Sequence, residues 1–135
     1  MHANCVAYDG AAVLIFGPSG SGKSALSLEL MAYGARLVAD DQVVLRVHQR
    51  QLIASAPPTI SGIIESRGIG ILNADTISDV PIRFAIDLGQ QAVDRVPERQ
   101  FITILGCDVP LHHRPNGVSL APAILQYLRS GLSNR

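Results

Sequence analysis

The stretch GPSGSGKS, residues 17–24, lies between the apolar run AAVLIF and the segment ALSLELMAYG. It fits G-x-x-x-x-G-K-[ST], a pattern that restricts both the architecture and the chemistry open to the chain. Gly17, Gly20 and Gly22 allow a tight wrap with backbone N–H groups turned toward phosphate oxygens, and Pro18, Ser19 and Ser21 complete the loop. A helix beginning near Gly22–Lys23 would add its unpaired N–H groups and the positive end of its dipole. Lys23 is the only lysine in the sequence, every other basic residue being arginine. Its slim stem can carry a point charge to β- and γ-phosphates, a reach that the wide, rigid guanidinium fork does not reproduce. Ser24 can place a hydroxyl on Mg²⁺. A nucleotide-phosphate site on a strand–loop–helix unit is the expectation.

The flanking pattern agrees. AAVLIF reads as a strand buried on both faces. Helix formers fill Ser24 to Tyr33, Gly34 stands at the C-terminal cap position, and apolar residues around most of this helix predict that it is largely buried. Leu37–Ala39 form a further short buried strand, and VVLRVHQRQLIAS reads as a hairpin turning at His48–Gln51. Pro57 and Pro58 interrupt the pattern. SGIIESRGIGILNAD is too rich in glycine for a helix and too apolar for a disordered loop. PIRFAIDL (81–88) and FITILG (101–106) read as strands, and Ala121–Ser130 as a short helix with Ile124, Leu125 and Leu128 facing inward. The sum is one α/β domain with several short strands and few helices.

Composition narrows the function. The 135 residues are 47% hydrophobic and 16% charged, which suits a chain with a real core. Eleven basic and eleven acidic residues cancel, so no basic stripe offers itself to nucleic acid. No apolar run approaches the roughly 20 residues of a membrane span, and no signal-peptide series opens the chain. Cys5 and Cys107 lack partners at metal or redox spacing and read as buried free thiols. A cytoplasmic protein is expected.

Two further features carry chemistry. Asp40 and Asp41 end the strand RLVADD, where adjacent carboxylates on an extended chain would point to opposite sides. One could hold the metal while the other accepts a proton from an attacking hydroxyl; the alternative is that they open a turn or cap a helix. In ESRGIGIL (65–72), Glu65 could ligate the metal and Arg67 clamp a γ-phosphate, or the two could form a surface ion pair beside a glycine-rich turn.

GPSGSGKS, RLVADD and APPTISGIIESRGIGILN, in that order and spacing, resemble the catalytic domain of the HPr kinase/phosphorylase family over roughly residues 2 to 110. The resemblance implies a P-loop-containing kinase domain, related in core to phosphoenolpyruvate carboxykinase, with a mixed sheet and few helices. It implies an enzyme that uses ATP and Mg²⁺ to phosphorylate a serine of HPr, the small phosphocarrier of bacterial phosphotransferase systems. It also implies phosphorolytic reversal with release of pyrophosphate, and a hexamer. By the same resemblance Lys23 is the P-loop lysine, Ser24 the magnesium-binding hydroxyl and Asp41 the base for phosphorylation. Asp40 is its carboxylate neighbour, Glu65 the second metal ligand, and His2 and Arg95 are active-site residues. The chain resembles the short forms that lack an N-terminal domain. It departs from the family at Ala25, where an acidic residue is common, and at Ser66, where an aliphatic one is. VPLHHRPNGVSLAP keeps only Arg114–Pro115 of a basic motif tied to dephosphorylation, which leaves kinase activity the better-supported half. His112 and His113 could compensate by binding phosphate, or they are partly exposed loop residues with nothing to orient a ring nitrogen. A kinase of small metabolites and a non-catalytic module sensing ATP or phosphate are the rival readings. ATP use stimulated by a protein acceptor separates them from the serine kinase.

Overall fold

Residues Ala11–Phe16 form strand β2 at the centre of an eight-stranded mixed sheet, as seen in a computed structural model that describes residues 1–115 and 120–133. It is preceded by β1 (Asn4–Tyr8), with which it pairs antiparallel across Asp9–Gly10. Both turn residues have positive φ, 54° and 81°, the twist a two-residue hairpin needs and the reason for an Asp-Gly pair there. Helix α1 (Lys23–Ala32) follows the loop, and β3 (Arg36–Ala39) returns to the outer edge of β1. The hairpin of β4 (Val44–His48) and β5 (Gln51–Ser55) turns where the sequence predicts, with His48 opposite Gln51. A short 3-10 turn (Pro58–Ile60) leads into β6 (Ile63–Ser66) and β7 (Gly70–Asn73), a separate two-stranded hairpin. The long β8 (Val80–Gln91), β9 (Gln100–Ile104), β10 (Cys107–Arg114) and helix α2 (Leu120–Ser130) complete the chain.

The sheet order is β3-β1-β2-β8-β10-β9, with the β5–β4 hairpin joined to the start of β8. Strands β2, β8 and β10 run parallel, so their carboxyl ends emerge on one edge of the sheet. That edge is where open α/β sheets bind ligands. β2 delivers Gly17, β8 delivers Gly89 and β10 delivers Arg114 to the same place.

Alternation along the strands makes two cores. Val13, Ile15, Phe84 and Ile86 face α1 and α2, where Leu26, Leu30, Ile124 and Leu128 meet them. Ala12, Leu14 and Ala85 face the other side, against Leu52, Ala54 and Val109. Leu30 is fully buried, and truncating such a leucine costs about 2–5 kcal/mol. Helix α1 is less enclosed than its composition predicts: Leu26, Ser27 and Leu30 are buried, while Ala25, Glu29 and Ala32 face out. Only one stripe of the helix meets the sheet. Of the two free cysteines, Cys5 is buried and Cys107 only partly so; burial pushes the Cys5 thiol far above its ordinary range.

His112 and His113 differ from expectation. They lie on strand β10, and both ring Nε2 atoms have partners, Tyr127 Oη at 3.1 Å and Gln100 Oε1 at 2.9 Å. The His112 ring stands edge-on to Phe84, and Phe84 stacks on Tyr127 with ring centres 3.9 Å apart. Burial, and then the neighbouring His113, hold the His112 pKa below its ordinary 6.5. The folded state therefore resists the proton that the unfolded chain accepts, and stability falls as pH drops through about 6.5. Thermal melts at descending pH should show this loss, and His112→Gln should reduce it.

Candidate functional site

The loop Gly17–Ser24 wraps the N-terminus of α1, as its glycines require. Gly22, the N-cap, has φ 102°, and no side chain caps the helix. The first-turn N–H groups are thus left to a ligand or water. Gly17 has φ 153°, and a Cβ there would sit 2.7 Å from Ser21 Oγ and 3.2 Å from the Gly89 nitrogen. The loop closes only with glycine at that point. Lys23 Nζ folds back to donate to the carbonyls of Gly17 at 2.8 Å and Pro18 at 3.4 Å. Arg114 Nη2 donates to the Ser21 carbonyl at 2.7 Å, so a second cation rests on the loop. Ser21 Oγ is buried with no hydrogen-bond partner among the described residues, an orphan polar atom in the middle of the cradle.

Beside this loop opens a cleft of about 460 Å³. Loop residues Ser19, Gly20, Gly22, Lys23 and Ser24 line one side; His2, Asn4, Asp40 and Asp41 line another, with Glu65, Ser66 and Arg67 of the β6–β7 hairpin beyond. Residues separated by up to 65 positions thus converge because β1, β3 and β6 pack around α1. Glu65 and Arg67 form no ion pair with each other among the described residues, so the surface-pair alternative is not what is seen. Arg67 is exposed at the hairpin turn.

Asp40 is held from three sides. Its Oδ1 accepts from Ser24 Oγ at 2.9 Å and from Asn4 Nδ2 at 2.8 Å, and its Oδ2 accepts from the Glu65 N–H at 2.9 Å. At Asp41 the chain is not extended, contrary to expectation. Its φ is 71°, and the Gln42 N–H closes on the Asp40 carbonyl at 2.9 Å, a tight three-residue turn. The two carboxylates still part company, because Asp41 Oδ1 meets His2 Nε2 at 2.6 Å. His2 is exposed, but its backbone bridges to Gln42, so the residue that its position alone would leave loose is fixed beside Asp41.

Arg95 alone among the expected site residues stays apart. It lies exposed in the 92–99 segment between β8 and β9, away from the cleft. Residue patterns missed Asn4, Ser27, Gly89 and the placement of Arg114. An asparagine opening a strand looks like a turn residue, and nothing local announces that it is buried.

The donor set suits a hard divalent cation. The Ser24 hydroxyl, the Asp40 carboxylate and the Glu65 carboxylate share one cleft, and all are oxygen donors. No cluster of three His, Cys, Asp or Glu side chains forms a ready-made metal cage among the described residues. Mg²⁺ commonly takes one or two carboxylates and completes its shell with phosphate oxygens and water.

Comparison with known proteins bears on this arrangement. The profile of the HPr Serine kinase C-terminal domain matches residues 1–111. The HPr kinase/phosphorylase of Caldanaerobacter subterraneus subsp. tengcongensis is 38% identical over 123 residues, which cover 82% of this chain and 40% of that protein. HPr kinase/phosphorylase 1 of Oceanobacillus iheyensis is 47% identical over 78 residues, 57% of this chain and 25% of that protein. The chain therefore spans two fifths or less of the length of these relatives. The solved HPr(Ser) kinase/phosphatase of Coxiella burnetii superposes with a TM-score of 0.80 at 30% identity, covering 95% of this chain and 91% of that one. The mixed sheet with few helices is the P-loop kinase fold expected from the sequence. By sequence and by fold, the chain belongs to the HPr serine kinase C-terminal domain family.

Proposed function

We propose that the protein is an ATP-dependent kinase that phosphorylates a serine of an HPr-type phosphocarrier, and that it also catalyses the phosphorolytic reversal. The observation that carries this reading is the Asp41 carboxylate, fixed by His2 in the same cleft as Lys23 and Ser24. A nucleotide sensor needs the loop but not a carboxylate oriented beside it.

ATP lies with its phosphates on the Gly17–Ser24 loop, and Lys23 exchanges its two loop carbonyls for phosphate oxygens. Ser24, Asp40 and Glu65 would hold Mg²⁺, which would supply positive charge to offset the charge on the phosphates. His2 occupies Asp41 Oδ1 and leaves Oδ2 without a protein partner among the described residues. Oδ2 takes the proton as the serine oxygen bonds to the γ-phosphorus and the bond to the β-phosphate oxygen breaks. ADP and phosphoserine result. Arg67 balances charge on the transferring group. In reversal, Asp41 returns the proton to the serine oxygen while inorganic phosphate takes the phosphoryl group and pyrophosphate leaves. Arg114 on the Ser21 carbonyl supports that half, since it puts a guanidinium beside the phosphate cradle. A cytoplasmic location and a hexamer belong to the same reading. Among the described residues no helix is long and apolar enough to cross a membrane.

The test uses ATP labelled on the γ-phosphate, Mg²⁺, this protein and the HPr-type carrier of the same organism, with a carrier whose acceptor serine is alanine as control. Label in the first carrier and not in the second is expected. Addition of inorganic phosphate should then release labelled pyrophosphate. ATP binding without label in either carrier would transfer the assignment to a sensing module.

A further inference from the structure

Asn4 is 1% exposed and opens a strand, a place where asparagine is both unfavourable and costly to bury. Its amide is nearly saturated. Nδ2 donates to Asp40 Oδ1 at 2.8 Å and to Ser27 Oγ at 3.0 Å, and Oδ1 accepts from the Asp41 N–H at 3.0 Å. Turning the amide over would set its oxygen against the Asp40 carboxylate and its N–H₂ against the Asp41 N–H, so the network admits one orientation. Ser27, also fully buried, has its hydrogen committed to the Lys23 carbonyl at 2.8 Å and so accepts from Asn4. A single directed relay runs from the carboxylate pair through Asn4 and Ser27 to the first turn of α1.

The relay also bears on backbone strain. Asp41 sits at φ 71° in a tight turn, and a conformation of that kind persists only when its surroundings over-determine it. The Asn4 side chain holds the Asp41 N–H, and the Ala3 N–H holds the Asp41 carbonyl at 3.1 Å.

We propose that Asn4 is a positioning residue for phosphoryl transfer. It fixes Asp40 and Asp41 relative to each other and ties both to the helix that carries Lys23 and Ser24. The inference rests on the kinase reading, and it goes beyond it by giving a buried strand residue the task of aligning the metal-side carboxylate with the base. At 1% exposure the Asn4 amide is spent on Asp40, Asp41 and Ser27. Its loss should therefore appear in the chemical step more than in nucleotide affinity.

Asn4→Ala and Asn4→Thr test this side by side. In Asn4→Ala, kcat for carrier phosphorylation should fall on the order of 10–100-fold while KM for ATP stays within about threefold. In Asn4→Thr, whose hydroxyl can replace one bond of the relay, part of that loss should return. Should Asn4→Ala fail to fold, Asn4→Asp carries the test: it keeps the shape and the bond to Asp41 N–H but faces Asp40 with an acceptor, and the same kcat-selective loss is expected. In parallel, a fluorescent non-hydrolysable ATP analogue is titrated with and without Mg²⁺. The metal-free affinity should be unchanged and the gain conferred by Mg²⁺ should shrink about two- to threefold in Asn4→Ala or Asn4→Asp, a change small beside that in kcat. Wild-type kcat in the folded variant, or an unchanged Mg²⁺ gain, overturns the inference, as does a wild-type protein with no Mg²⁺ gain to lose. Failure of the wild-type protein to label the carrier counts against the kinase reading instead, and the Mg²⁺ titration then judges Asn4 by itself.

Discussion

Lys23→Ala is expected to lower kcat/KM for transfer to the carrier by on the order of a thousandfold, roughly 4 kcal/mol of transition-state stabilisation. The magnitude follows from where the ammonium already sits. Lys23 is 9% exposed and bonded to two carbonyls of its own loop, so a desolvated charge waits beside the cradle. Moving it onto phosphate oxygens exchanges bonds to neutral carbonyls for bonds to charged acceptors, which adds the attraction of opposite charges. The exchange strengthens as charge builds on the departing phosphate, and that is what makes it catalytic rather than merely adhesive. Alanine at this position stays within the first helical turn and favours the helix, so the melting temperature should change little. Lys23→Arg should not rescue, because a wide planar guanidinium does not reproduce the slim reach of the ammonium, and Arg114 already rests on this loop. The rate with γ-labelled ATP, read beside circular dichroism, decides it. A folded Lys23→Ala protein that phosphorylates at the wild-type rate removes the P-loop from the mechanism.

The phosphate loop is legible from sequence because its function is written in backbone conformations that only glycine adopts, at fixed spacing. The β4–β5 hairpin is legible for a related reason: alternation on two arms leaves the turn one place to go. The β6–β7 hairpin is not, because Gly68 and Gly70 at its turn obscure the alternation, and Ile69 and Ile71 are exposed where a strand face would be expected to be polar. Strand β10 is hidden by Pro110 and by a His–His–Arg run that resembles a polar loop. In the structure its pairing with β9 on one side and β8 on the other overrides both. Asp41 shows the limit from another direction. The sequence places two carboxylates at a strand end, but whether the chain continues or turns there depends on Asn4 and Ala3, which lie across the sheet rather than along the chain. Long-range hydrogen bonds of this sort leave no periodicity to read. Family resemblance reaches His2, which residue pattern alone would set aside, and it does not reach Asn4.

Asp41→Asn is expected to bind nucleotide with wild-type affinity, within about twofold, and to lose kcat by roughly 10²–10⁴-fold, the range a general base commands. The substitution is unusually clean at this site. Asparagine tolerates the left-handed conformation that Asp41 adopts at φ 71°, so the turn should survive. The bonds that hold the turn, from the Asp41 N–H to Asn4 Oδ1 and from the Ala3 N–H to the Asp41 carbonyl, use only main-chain atoms of Asp41 and are unaffected. The amide can still meet His2. What disappears is the capacity of the second side-chain oxygen to accept a full proton. Asp40→Asn should behave differently, because Asp40 shares its Oδ1 with Ser24 and its loss should weaken Mg²⁺-dependent binding as well as rate. His2→Ala should cost less than Asp41→Asn, about tenfold, since it frees Asp41 to rotate without removing its basicity. Combined with Asp41→Asn it should cost little more, because a residue that acts through Asp41 has nothing left to orient. If Asp41→Asn instead abolishes Mg²⁺–nucleotide binding, the proton has another destination and Asp41 joins Asp40 in holding the metal. Additive losses in the double variant would give His2 a contact with substrate of its own.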